Sequence, residues 1–248
     1  MVQKPQIAPG RPPRGLVSRA HRPMAQLIVA LFVGLVAAVA VGAVLVGGDL
    51  VALGATAVGY LAGAIFALGL MRRGYPHSGL GLGNLATLAR MALVAGLLAP
   101  IVGMATLWVF VAVAILALVL DGVDGWLARR EGRVSDFGAR LDTEVDSALA
   151  IILALNVWAL GVTGPLILLI GLPRYVFVAV AQLLPWLNRP LPESYSRKVV
   201  CVVQLVALVV LSAQVLPELL VVPVVLAVAA ALAWSFGRDI LWLWKSRP

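Results

Sequence analysis

Seven of the chain's eleven carboxylates fall between Asp121 and Asp146, and their spacing there is what can carry chemistry. Asp121 and Asp124 stand at i and i+3, and Asp142 and Asp146 at i and i+4, so each pair shares one face of a helix. A helical hairpin through the segment DGVDGWLARREGRVSDFGARLDTEVDSA would bring all four carboxylates together. Four carboxylates in one small volume resist ionising together unless cations hold them. Hard oxygen donors of this kind suit Mg2+ or Mn2+, and two such ions can share them. Arg129 follows Asp121 by eight residues, two helical turns further from the apolar run, where it can meet a phosphate. Gly125 and Ala128 keep that helix surface low, and Gly138 does the same before the second helix, so a flat or bulky group can lie against the backbone.

The plain alternative is a solvated, mixed-charge hairpin. Its weakness is that Asp121 directly follows thirty uncharged residues, 91–120, and that Asp142 and Asp146 point back toward an apolar run. Solvation requires neither. Carboxylates at the edge of apolar helices are costly unless they are paired, metal-bound or facing a polar cavity.

The elements around them are those of a membrane. Of 248 residues, 62% are hydrophobic and 12% charged, with a mean hydropathy of +1.04, which excludes an ordinary soluble domain or a disordered chain. One cysteine, Cys201, excludes a disulfide scaffold, and with two histidines it leaves little for a zinc site. The formal charge of +8 does not indicate nucleic acid, because no basic and aromatic residues interleave on a soluble face. The stretches 23–48, 50–71, 91–120, 147–173, 199–217 and 219–237 hold no charge at all.

The pattern predicts eight spans: 24–46, 50–71, a third opening at GNLATLAR and ending near 102, then 105–130, 139–160, 165–186, 199–215 and a last one ending near Arg238. A basic tail over 1–22 precedes them, and 239–248 forms a second tail. Connections near 47–49, 101–104, 161–164 and 215–218 contain no Lys or Arg, whereas the alternate ones carry Arg72, Arg73, Arg129, Arg130, Arg133, Arg189, Arg197 and Lys198. Both termini and the carboxylates are therefore expected on the cytoplasmic side of the plasma (inner) membrane.

The segment resembles the CDP-alcohol phosphotransferase (CDP-alcohol phosphatidyltransferase) family, whose signature is D-x2-D-G-x2-A-R-x8-G-x3-D-x3-D. Asp121, Asp124, Gly125, Ala128, Arg129, Gly138, Asp142 and Asp146 fill every fixed position. Asn84, Thr87 and Arg90 match the N-x-x-T-x-x-R that often opens the family's preceding helix. The resemblance implies an all-α, polytopic membrane protein with a six-helix catalytic core over 84–238, preceded by two additional transmembrane helices at 23–71 on which it is silent. It further implies that Asp121, Asp124, Asp142 and Asp146 hold one or two Mg2+ or Mn2+ ions. Gly125, Ala128, Arg129, Gly138 and Asp124 would line a CDP site, and Asp146 would be the catalytic base. The implied reaction moves a phosphatidyl-type group from a CDP-linked lipid such as CDP-diacylglycerol to an alcohol and releases CMP. Homodimers are common in the family, and Gly/Ala-rich helices allow close pairing.

Outside the signature, Arg174 lies within the sixth span beside Pro173, and Arg197 and Lys198 stand at the mouth of the seventh. With Arg90 they are candidate contacts for a lipid or acceptor phosphate, which favours a phosphorylated small alcohol such as glycerol phosphate or inositol phosphate. Arg197 and Lys198 read equally well as the ordinary anchors of their span, Cys201 reads as a small buried hydrophobe, and Trp234, Trp242 and Trp244 read as interface anchors. A competing class is an ion-coupled transporter with the aspartates as a cation site, but such carriers place their charges near the midplane of related repeats.

Overall fold

The computed structural model describes residues 15–189, 191–192 and 194–246, with side chains from Arg22 onward. The part of the expected N-terminal tail before residue 15 lies outside the described residues. The remainder of that tail is helical: α1 runs Gly15–Val46, and after a two-glycine turn α2 runs Leu50–Arg72. Asp49 starts α2, its Oδ1 accepting from the Val51 and Ala52 amides at 2.9 and 3.3 Å, which satisfies first-turn donors that no helical carbonyl can reach. Then follow α3 (Leu82–Gly96), a single turn α4 (Ala99–Val102), α5 (Leu107–Arg130) and α6 (Asp136–Ala159). A 3-10 turn at Gly164–Ile167 leads to α7 (Leu168–Gly171), α8 (Pro173–Leu183), α9 (Tyr195–Ser212) and α10 (Glu218–Lys245). The last helix thus continues seven residues beyond Arg238, through what the sequence suggests is a tail.

The protein is all-α and polytopic. Among the described residues six helices are long and apolar enough to cross a membrane, and the pair Gly164–Gly171 and Pro173–Leu183, bent by 59°, raises the count to seven if it forms one span. The sixth expected span is therefore broken rather than continuous, because Pro173 lacks an amide to continue the ladder. α6 is not one of these helices, although its 24 residues reach about 36 Å at 1.5 Å per residue. Its charges stop at Asp146, so apolarity alone does not mark it as a span. The helices from α3 onward are consistent with a six-helix core, the bent pair counted once, and α1 and α2 precede it.

The core is centred on α3, which packs closely against α1, α5 and α6. Small residues set these approaches, since lipid offers no hydrophobic drive to push helices together. Gly34 of α1 lies under the Tyr60 ring of α2, where any side chain would collide. Gly83 of α3 meets α5 so closely that an added Cβ would sit 2.9 Å from both the Ala128 Cβ and the Asp124 carbonyl oxygen. Gly83→Val is accordingly expected to wedge α3 from α5, lowering stability by about 1–3 kcal/mol and moving Asp124 off its α3 partners. A melting curve alongside an activity assay of the purified variant checks this.

Candidate active site

Three helix ends build the site, and the turn between two of them explains its compactness. At the end of α5, Gly132 adopts φ +63°. The Gly132 amide donates to the Arg129 carbonyl at 3.2 Å and the Arg133 amide to the Ala128 carbonyl at 3.0 Å, a Schellman closure that favours glycine. The chain reverses at once, and Ser135 caps α6, its Oγ accepting from the Gly138 amide at 3.2 Å. Glu131 reaches back to accept from the Leu82 amide at 2.9 Å, tying the start of α3 to the hairpin. Tyr75 adds a further tie, donating to the Leu80 carbonyl at 2.8 Å and accepting from Asn84 at 2.9 Å. Burial raises the Tyr75 phenol above its ordinary pKa, so it remains a donor at neutral pH.

The four aspartates converge as their spacing predicts, and they converge on Arg90. Its Nη1 lies 2.6 Å from Asp121 Oδ1, 3.0 Å from Asp124 Oδ2 and 3.0 Å from Asp142 Oδ1, and its Nη2 lies 2.5 Å from Asp146 Oδ1. Nη2 also donates to the Asp142 backbone carbonyl at 3.3 Å. The Arg90 side chain is fully buried, so the group read from the sequence as a candidate phosphate contact is engaged here by carboxylates. Its place on the inward face of α3 makes it the common counter-ion of two helices. Thr87, one turn earlier, donates to Asp124 Oδ2 at 3.0 Å, and Asp124 is itself buried.

Asp121, Asp142 and Asp146 can each present a carboxylate oxygen such that the three lie within 4.8 Å of one another. Their side chains are about one-third exposed, at 27, 37 and 32%, and so remain approachable. When all are ionised, four carboxylates against one guanidinium leave three surplus negative charges. Asp142 Oδ1, though near Arg90, is buried without a hydrogen-bond partner among the described residues. Hard oxygen donors, surplus charge and an unsatisfied carboxylate oxygen fit a divalent cation of the Mg2+ type. Asp124 stands apart from that trio, engaged with Thr87 and Arg90.

The other signature residues surround this centre. Ala128 forms the contact with Gly83 described above. Gly138 is a glycine because an added Cβ would come 2.6 Å from Asn84 Oδ1. Gly125 faces open space except for Arg129, whose guanidinium an added Cβ would approach at 3.3 Å, and Arg129 is exposed at the end of α5.

On the far side of Asp146 is a cavity of about 210 Å3, lined in part by Asp146, Arg174, Arg197, Gln204, Ser235 and Asp239. Arg174, at the start of α8, pairs with Glu144 at 3.6 Å, and its Nε is buried without a hydrogen-bond partner among the described residues. Arg197 pairs with Asp239 at 3.4 Å. Lys198 is exposed and does not line the cavity. Cys201 is also exposed, at the cavity wall, because its face of α9 borders that cavity rather than a neighbouring helix. This corrects the expectation of a buried thiol. Glu144 and Asp239 are polar partners that motif spacing does not single out. Asp239 follows the uncharged run 219–237 directly behind Arg238, where its spacing matches an ordinary interfacial pair.

Helix ends that gather carboxylates around an arginine at the edge of a polytopic bundle make this a membrane protein with an acidic centre able to hold a divalent cation. Residues 80–236 match the family model described as CDP-alcohol phosphatidyltransferase, and the chain belongs to that family. No curated protein and no solved structure matches the chain.

Proposed function

We propose that this protein transfers a phosphatidyl-type group from a CDP-linked lipid, CDP-diacylglycerol in the simplest case, to a phosphorylated small alcohol, with release of CMP. The observation that carries this reading is the position of Asp146, which belongs both to the acidic centre and to the cavity holding Arg174 and Arg197. A base placed between a donor site and an acceptor site is what an in-line transfer requires.

Asp121, Asp142 and Asp146, with Asp124 behind them, would hold one or two Mg2+ or Mn2+ ions. Bound there, such ions neutralise diphosphate charge and that developing on the leaving CMP. The protein's own groups do the rest. Arg129 offers a cation to the CDP diphosphate where Gly125 and Ala128 leave the α5 surface low. Arg174 and Arg197 receive the acceptor phosphate. Asp146 takes the proton of the acceptor hydroxyl as its oxygen attacks the lipid-bearing phosphorus. The phosphoanhydride bond to CMP breaks, and CMP leaves with the electron pair. The donor's tails stay in the bilayer while its headgroup enters at the helix ends.

We place this end of the molecule, with both termini, on the cytoplasmic side, because the alternate connections at the opposite end hold no Lys or Arg. The purified protein should be given CDP-diacylglycerol and Mg2+ in mixed micelles with glycerol 3-phosphate, inositol phosphate, serine, inositol or choline in turn, and the lipid product identified by mass spectrometry. A product with a phosphorylated acceptor alone is expected. A product with an unphosphorylated alcohol alone contradicts the acceptor assignment, and cation transport in liposomes without any transfer favours a transporter.

A further inference from the structure

The acceptor cavity contains a carboxylate that an anion-binding site would ordinarily avoid. Asp239 of α10 lines it and is only 8% exposed. Both of its oxygens face guanidinium groups: Oδ2 lies 3.4 Å from Arg197 Nη1, and Oδ1 lies 3.5 Å from Arg238 Nη2. Arg238 in turn donates to Ser196 Oγ at 2.5 Å and to Ser194 Oγ at 2.9 Å, and it stacks over Trp234 with 5.1 Å to the ring centroid. Among the described residues Arg197 has a further tether, Nη2 donating to the Pro192 carbonyl at 2.6 Å. The network therefore joins the entry of α9 to the end of α10. Of its members, Arg197 and Asp239 line the cavity, and Arg197 is the one of these two that can meet an anion.

We infer that Asp239 is a positioning residue that fixes Arg197 for the acceptor phosphate, an inference that rests on the phosphorylated-acceptor reading above. A free arginine at a helix mouth has several rotamers and loses their entropy on binding an anion. An arginine already held by a buried carboxylate and a carbonyl has lost most of it beforehand, so the acceptor gains affinity by preorganisation. Because Arg238 shares the carboxylate's charge, Asp239 does not leave the cavity net negative. Asp239 acts through Arg197 and touches no reacting atom, so its removal should weaken acceptor binding and leave the donor site unaltered.

The test is steady-state CMP release by the full-length protein with CDP-diacylglycerol and glycerol 3-phosphate or inositol phosphate. Wild type is compared with Asp239→Asn, Asp239→Glu, Arg197→Gln and the Asp239→Asn/Arg197→Gln pair. Asp239→Asn is expected to raise the acceptor KM by about tenfold, with the CDP-lipid KM and kcat little changed, and Asp239→Glu to restore most of the loss. The double variant should be no worse than Arg197→Gln alone, because the second change acts through a group already removed. If Asp239→Asn fails to fold, the same readout is taken on Ser196→Ala, which loosens Arg238 and through it Asp239. An unchanged acceptor KM, an equal rise in both KM values, or additive effects in the double variant would overturn the inference while the transferase reading stands. A wild type that is inactive with every phosphorylated acceptor overturns both.

Discussion

Arg90→Met is expected to be the most damaging single substitution in this protein. It removes a guanidinium that touches Asp121, Asp124, Asp142 and Asp146 together, and it leaves four carboxylates facing one another at the helix ends. Removing one partner of a buried ion pair costs about 3–5 kcal/mol, since the remaining charge stays desolvated. For a chain of this size that corresponds to a fall in melting temperature on the order of 10 °C. Arg90→Lys keeps the charge but loses the planar fork that spans α5 and α6, so it should fall between wild type and methionine. Added Mg2+ or Mn2+ should raise the melting temperature of Arg90→Met more than that of wild type, because it replaces a missing cation. Thermal unfolding in detergent, with and without the metal, measures all three effects. A methionine variant as stable as wild type would show that the arginine is not the site's counter-ion.

Asp146→Asn should leave the fold intact and stop the reaction. The amide keeps the shape of the side chain and can still accept from Arg90, but it cannot take a proton from the acceptor hydroxyl. Loss of a positioned general base commonly costs a hundredfold to ten-thousandfold. The expected fall in CMP release is about a thousandfold, or about 4 kcal/mol in the barrier. Binding of the CDP-lipid, followed by equilibrium titration, should weaken far less than turnover. Because Asp146 also belongs to the acidic trio, Asp121→Asn is the informative comparison. It should be partly rescued by raised metal concentration, whereas Asp146→Asn should not.

The carboxylate centre was legible because its geometry is local. Spacings of three and four residues put each pair on one face, and Gly132 and Ser135 turn the chain tightly enough for the faces to meet. The role of Arg90 was not legible, since it depends on which side of α3 turns inward. That is decided by the seam of Gly83 against Ala128 and of Gly138 against Asn84, a tertiary contact with no trace in periodicity. Pro173 marked a distortion, but its extent, a 59° bend after a one-turn helix, depends on how α7 packs on α6. The outer limits of α1 and α10 also escaped sequence reading, because polar residues at a membrane boundary extend a helix as readily as they end one. Asp239 was hidden for a related reason. A lone acid beside Arg238 resembles an ordinary interfacial pair until the fold brings Arg197, fortytwo residues earlier in the chain, against it.

CMP formation is the direct readout of metal-dependent transfer from a CDP-linked lipid at the acidic centre. The purified protein, stripped with a chelator, is given CDP-diacylglycerol and glycerol 3-phosphate or inositol phosphate, and CMP is followed before and after Mg2+ or Mn2+ is returned. No release above background is expected from the stripped protein, with restoration by at least about a hundredfold when metal returns and none in Asp146→Asn. Release that continues unchanged in the stripped protein, or that survives the loss of Asp146, would contradict metal-dependent transfer at this centre.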